Sequence, residues 1–242
     1  MRSEDFIKSA QACATAICAP QSSLGERILC AVRDTRKAVS MNTNLGIILL
    51  CAPLIQAIYS ANGKSLRQSL KQVLASTTVD DARSAYQAIR LAEAGGLGRV
   101  EQADIATNPD ISLLEAMRLA QQRDLIATQY ATDYGDIFEQ ACPTLLAFYS
   151  KWGYNASSVS GVYMKLLSTY PDSLITRKRG KATALYVLKL ASALYEKYCR
   201  RDEPGAFDTK LLEFDCELKE KNINPGTTAD MTVATVFLAS LE

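Results

Sequence analysis

The chain has 242 residues, 48% of them hydrophobic, and its 27 lysines and arginines against 26 aspartates and glutamates leave a net charge of +1. Such a composition excludes a disordered chain and speaks against sequence-wide nucleic-acid binding, which needs a basic excess to neutralise phosphates. There is no histidine, so Ser-His-Asp and Cys-His catalysis, histidine-bound zinc and histidine general bases are excluded together. Acid–base work falls to Asp, Glu, Lys, Tyr or Cys.

Helical periodicity dominates from the start, and strand-like alternation is almost absent. Residues 5–17 and 25–39 read as helices, the second with Ile28, Leu29, Val32, Thr35 and Val39 along one side. Residues 44–59 are apolar nearly all round, the pattern of a helix buried in the centre of a bundle. Asn62-Gly63 ends that helix, and 65–75 follows with Leu66, Leu70, Val73 and Leu74 in register. Further helices are predicted over 80–94, 112–134, 136–152, 157–170, 182–201, 206–221 and 228–241. No linker, repeat or low-complexity tract divides them. The expectation is one compact all-α domain over residues 1–242, with the helices around Ile47 and Met231 in contact at its centre.

The seven cysteines form no CxxC pair, which reads as reduced thiols used as small hydrophobes. The first residues lack the apolar core of a secretory signal. The longest apolar run, Ile47 to Ile55, is too short to span a bilayer and contains Pro53. A cytoplasmic protein without a membrane span is expected.

Four loop-to-helix segments carry residues that serve packing poorly. In Met41 to Gly46, Asn42 or Thr43 can cap the following helix, whose free N–H groups could also hold a phosphate. In Gly95 to Asp104 the glycines are a helix stop that also permits close backbone approach to a ligand. In Tyr170 to Lys181, four cations within five residues read either as a solvated loop or as a polyphosphate clamp, with arginine forks and lysine point charges. In Asn224 to Asp230, Thr227 as N-cap with Asp230 three residues on is a relative of the capping box.

The four segments, in this order, resemble the triphosphoribosyl-dephospho-coenzyme A synthase family. The likeness is carried by Asn42-Thr43-Asn44-Leu45-Gly46, by Tyr86 to Ala92 with Gly95-Gly96-Leu97-Gly98, by Asp172-Ser173 with Arg177 to Gly180, and by Asn224-Pro225-Gly226-Thr227-Thr228-Ala229-Asp230. With Arg123-Asp124 and Gln129-Tyr130, the wording is most similar to the branch found beside tetrahydromethanopterin genes in methylotrophic bacteria. The resemblance implies an all-helical cytosolic enzyme that joins ATP to 3′-dephospho-coenzyme A with release of adenine. The product is the precursor of the prosthetic group carried by the acyl-carrier subunits of citrate lyase and malonate decarboxylase.

On that reading, positive charge develops on the ribose of ATP, and Asp230, Asp172 and Asp104 are the candidate carboxylates that answer it. Arg177, Lys178 and Arg179 are the candidate triphosphate clamp. Asn42, Thr43, Asn44 and Gly46 form a candidate phosphate cradle, with Gly96, Gly98, Asn224, Gly226 and Thr227 as further nucleotide-binding candidates. Magnesium is implied as the counter-ion of the triphosphate; its protein ligands and the oligomeric state are not assigned. The resemblance also implies an N-terminal region with a Lys-Pro-Gly motif and a Gly-His segment, which this sequence does not hold. The chain as printed is therefore expected to bind ATP with magnesium and to transfer weakly or not at all. A different acceptor, in pterin-type coenzyme biosynthesis, and a non-catalytic nucleotide-binding or interaction protein are the alternatives. All four segments are expected to open on one pocket.

Overall fold

A computed structural model describes residues 2–93, 105–202 and 205–241. Among these the chain forms thirteen α-helices and no strand, so the fold is all-α. Its contacts gather into two compact units, residues 1–134 and 135–242. No helix among the described residues is long and apolar enough to cross a membrane.

The first unit holds α1 (Ser3–Ile17), α2 (Leu24–Ala38), α3 (Leu45–Tyr59), α4 (Leu66–Ala75), α5 (Val79–Leu91), α6 (Leu113–Ala120) and α7 (Leu125–Ala131). Local chemistry starts most of them. Ser23 with Glu26, Ser65 with Gln68, Thr78 with Asp81 and Ser112 with Glu115 are complete capping boxes, each satisfying two otherwise orphaned N–H groups. The expected stripe on α2 is the buried one: Ile28, Leu29, Val32, Thr35 and Val39 are all inside. After α3, Asn62 (φ 41°) and Gly63 (φ 80°) take the left-handed backbone that stops the helix where expected.

The helix expected over 112–134 is instead two. The Asp124 carboxylate accepts from the N–H groups of Ile126 (2.9 Å) and Ala127 (3.2 Å), starting α7 at Leu125 after α6 ends at Ala120. An N-cap aspartate inside an apolar pattern wins because it satisfies the new first turn directly.

α3 is buried along most of its length and carries Pro53 in its interior. Proline has no N–H, so the carbonyl four residues back loses its helical partner. Tyr130 replaces it, and Tyr134 adds a bond to the next carbonyl. Tyr130 Oη donates to the Leu49 carbonyl (2.7 Å), and Tyr134 Oη to that of Leu50 (2.9 Å). Both rings are fully buried, and burial pushes both phenols far up, holding them as neutral donors. Asp133 (φ 52°) and Tyr134 (φ 59°) are held in the left-handed region, a strained conformation for residues with a Cβ. Tyr130→Phe should cost about 1–3 kcal/mol by leaving the Leu49 carbonyl buried and unpaired, measured by urea unfolding; no loss would mean that the Pro53 break is satisfied otherwise.

The second unit begins with a wide helical turn at Ile137–Ala141, closed by a hydrogen bond from the Cys142 N–H to the Ile137 carbonyl, and continues into α8 (Cys142–Trp152). Pro143, near the start of α8, cannot donate into a regular α register, so the predicted continuous helix over 136–152 widens here. Then come α9 (Ala156–Thr169), α10 (Ser173–Arg179), α11 (Lys181–Cys199), α12 (Gly205–Glu220) and α13 (Gly226–Ala239). A core of Met164, Leu167, Ile175, Val187, Phe214 and Ile223 joins α9, α10, α11, α12 and the loop between α12 and α13. α13 packs against α8, α9 and α10. It is not buried on every face as expected, since Val233 is 41% exposed. The buried face is rich in threonine. Thr232 and Thr235 donate to the carbonyls of Thr228 and Met231, so their hydroxyls are satisfied within the helix.

All seven cysteines are free. Cys13, Cys51 and Cys142 are buried as small hydrophobes, whereas Cys18 and Cys216 are exposed.

Candidate functional site

The candidate residues of the second unit lie along α10 and the chain beside it. The predicted loop around Arg177 is a helix: Asp172 caps it, Gly180 (φ 89°) ends it, and Arg177, Lys178 and Arg179 fill its last turn. Cations there complement the carbonyl end of the helix, which is why three of the four clustered charges are compatible with a helix; the fourth, Lys181, opens α11. Arg177 is half-buried, while Lys178 and Arg179 are exposed.

Three contacts set the neighbouring chain against this helix. Arg179 Nη2 donates to the Lys221 carbonyl near the C-terminal end of α10. At its N-terminal end, Ser173 Oγ donates to Thr227 Oγ1 (3.0 Å) and Asp172 Oδ2 accepts from the N–H and hydroxyl of Thr228 (both 2.8 Å). Residues 221–228 thus run antiparallel to α10, from the cation cluster to the start of α13. Asn224 is exposed. Gly226 stands where a Cβ would lie 2.6 Å from Leu174 Cδ2, so α10 presses directly on the first residue of α13.

The local cap expected at Thr227 is not the one found. α13 starts at Gly226, its N-cap position is Pro225, and no side chain there caps it. Thr227 is already the second helical residue and is buried against Ser173. The carboxylate that accepts from this first turn is Asp172. It is 1% exposed, and its other oxygen accepts from the Ile175 N–H (3.0 Å). Burial pushes its carboxyl above the usual range, and the N–H and hydroxyl donors of Ile175 and Thr228 only partly offset this. Asp230 lies half-buried one turn further into α13.

Two residues here fall within the segments that carry the resemblance but are not singled out there as site residues. Ser173 and Thr228 are ordinary helix-start residues until the fold pairs them with partners 54 and 56 positions away. Tyr163 on α9 is a third neighbour: burial first, and then the charges of Asp172 and Asp215, push its phenol up. Tyrosines are too common in apolar helical stretches for spacing to single it out.

In the first unit the Asn42 turn is tied into the packing. Asn42 Oδ1 accepts from the Leu45 N–H (3.3 Å), but the N-cap position of α3 is Asn44, which makes no side-chain cap. Thr43 does not cap; its hydroxyl is paired with Ser9 (2.6 Å). Asn44 Nδ2 donates to Thr35 Oγ1 (3.2 Å) and Cys13 Sγ (3.6 Å), and Thr43, Asn44 and Gly46 are all buried. The turn therefore knits α1, α2 and α3 together. Gly96, Gly98 and Asp104 lie outside the described residues. Among the described residues no three or more acidic or cysteine side chains gather in a way that could hold a metal ion.

No curated protein matches the chain by sequence. Among solved structures it is similar to a provisionally assigned triphosphoribosyl-dephospho-coA synthase from Archaeoglobus fulgidus, with 24% identity and a TM-score of 0.75 over 97% of this chain and 98% of that one. At that identity the likeness establishes the helical fold. A family model described as CitG, ATP:dephospho-CoA triphosphoribosyl transferase, matches residues 1–242.

Proposed function

The chain belongs to the CitG family of ATP:dephospho-CoA triphosphoribosyl transferases, and from that membership we propose that it transfers the triphosphoribosyl group of ATP to a hydroxyl of a dephospho-coenzyme A-like acceptor, releasing adenine. The observation that carries the reading, beyond the family, is the antiparallel run of 221–228 along α10. It sets Arg177, Lys178 and Arg179 at one end of a seven-residue helix and the start of α13 at the other. Seven residues of helix span about 10 Å, a reach that a ribose triphosphate can cover.

In the proposed reaction the bond between adenine N9 and C1′ of the ATP ribose breaks while the acceptor's 2′-hydroxyl oxygen bonds to C1′. The hydroxyl proton leaves the acceptor, and the departing adenine takes up one proton. Positive charge gathers on the ribose as the bond to adenine lengthens. The Asp230 carboxylate is assigned to that charge. The arginine forks and the lysine hold phosphate oxygens, and Asn224, Gly226 and Thr227 form the approach to Asp230. Magnesium would serve as the counter-ion of the triphosphate, because it prefers phosphate and carboxylate oxygens. No step is assigned to it.

The test is chromatographic detection of adenine from ATP and magnesium, with and without 3′-dephospho-coenzyme A. Adenine release that needs the acceptor, even at a low rate, is expected. Binding of ATP with no release for dephospho-coenzyme A would move the proposal to another acceptor, and absence of ATP binding by calorimetry would overturn it.

A further inference from the structure

We infer that Asp172 is a positioning residue whose carboxylate, bonded to the first turns of α10 and α13 at once, sets the start of α13 and thereby the place of Asp230. The inference rests on the transferase reading above and gives Asp172 a part other than acid or base.

The N-cap residue of α13 supplies no cap. It is a proline, which has no side-chain acceptor, yet a helix start inside a packed unit needs its N–H groups satisfied. The sequence supplies the acceptor from 56 residues upstream: Asp172 Oδ2 takes the Thr228 N–H and hydroxyl, while Oδ1 takes the Ile175 N–H of its own helix. One charge therefore sits where the positive ends of two helix dipoles meet. Ser173 and Thr227 repeat the link one residue along. Two consecutive residues of one helix thus bond two consecutive residues of the other, which fixes register as well as distance. The absent side chain of Gly226 lets Leu174 close on the same point.

The same geometry argues against direct chemistry. A general base must come within hydrogen-bond reach of the proton that it takes. Asp172 is 1% exposed with both oxygens engaged, so it could meet a substrate only by releasing the helix starts. Keeping a carboxylate buried is costly unless it is fully hydrogen-bonded. An exposed serine would cap α10 without that cost, so what the aspartate adds is the bridge to α13.

A double-mutant cycle on the rate of adenine release tests this. Asp172→Asn turns a donor toward Thr228, and Thr228→Val removes the hydroxyl that the carboxylate holds. Each should lower kcat by about 100-fold, the scale expected when reacting groups are displaced by about 1 Å. If Asp172 acts through Thr228, the double variant is no slower than the slower single one, and Thr228→Ser, which keeps the hydroxyl, retains most of the rate. A loss in the double variant near the product of the two, about 10,000-fold, would overturn the inference, because independent effects multiply. So would an unaltered rate in Thr228→Val beside an inactive Asp172→Asn. Amide hydrogen exchange gives a readout that does not depend on activity: in Asp172→Asn the Thr228 N–H should lose protection while the centre of α11 keeps it. Unchanged protection at Thr228 would overturn the clamp even if the wild-type chain released no adenine, a result that would by itself count only against the transferase reading.

Discussion

Asp230→Asn is expected to lower acceptor-dependent adenine release by about 100- to 1,000-fold, the scale of losing one group that stabilises transition-state charge. Asparagine keeps the size and one carbonyl oxygen but carries no negative charge, so the variant separates charge from shape. Asp230 sits one turn into α13, beyond the N–H groups that Asp172 satisfies, so the substitution leaves the interhelix clamp in place. Rates should be compared at saturating ATP, alongside thermal melts of both proteins. Release at the wild-type rate would remove Asp230 from the chemistry and leave the charge on the ribose without a carboxylate among the described candidates of the second unit.

The largest expected effect on stability lies elsewhere, at Gly25. A Cβ at this position would stand 2.5 Å from Asp81 Cα and 2.9 Å from both the Asp81 carbonyl oxygen and Ser84 Cβ. These are mostly backbone atoms of α5, and they cannot turn aside as a flexible side chain would. The contact is close because the Gly25 N–H donates to Asp81 Oδ1 (2.7 Å), while Oδ2 accepts from the N–H and hydroxyl of Thr78. Asp81 thereby links α2 to α5 as Asp172 links α10 to α13. Gly25→Ala should separate the helices and cost about 3 kcal/mol, the upper range for overpacking, lowering Tm by about 6–12 °C for a chain of this size. Gly63→Ala is the control. Gly63 has φ 80° but nothing within 4 Å of a Cβ, so its cost should be about 1 kcal/mol of backbone strain alone. Equal melts for the two variants would mean that α2 and α5 are not held this closely.

Helices were legible in the sequence wherever one face alternates with solvent over several turns, as on α2, or where the pattern ends in Asn-Gly, as after α3. What stayed hidden depends on atoms distant in sequence or on very short elements. α10 has only seven residues, and its three closing cations mask any apolar period. The break before α7 needed Asp124 to be recognised as a cap inside an apolar stretch. The replacement of the Pro53 hydrogen bond by Tyr130 came from a helix some eighty residues away, which no window of local periodicity can contain. The same holds for the candidate site. The Asn224 to Asp230 segment announced a helix start correctly, but a local capping box was the natural local reading, whereas the capping carboxylate is Asp172. For the Asn42 turn, spacing permitted both a phosphate cradle and a capped helix. The contacts of Thr43 with Ser9 and of Asn44 with Thr35 and Cys13 show those side chains joining helices.

In the proposed transfer the ribose of ATP changes its partner while the triphosphate stays whole. Mass spectrometry of the products, with ATP and 3′-dephospho-coenzyme A as the pair, tests this most directly. Adenine and a triphosphoribosylated acceptor should form in equal amounts, with neither ADP nor pyrophosphate. Cleavage within the triphosphate, with the bond between adenine and ribose intact, would contradict it.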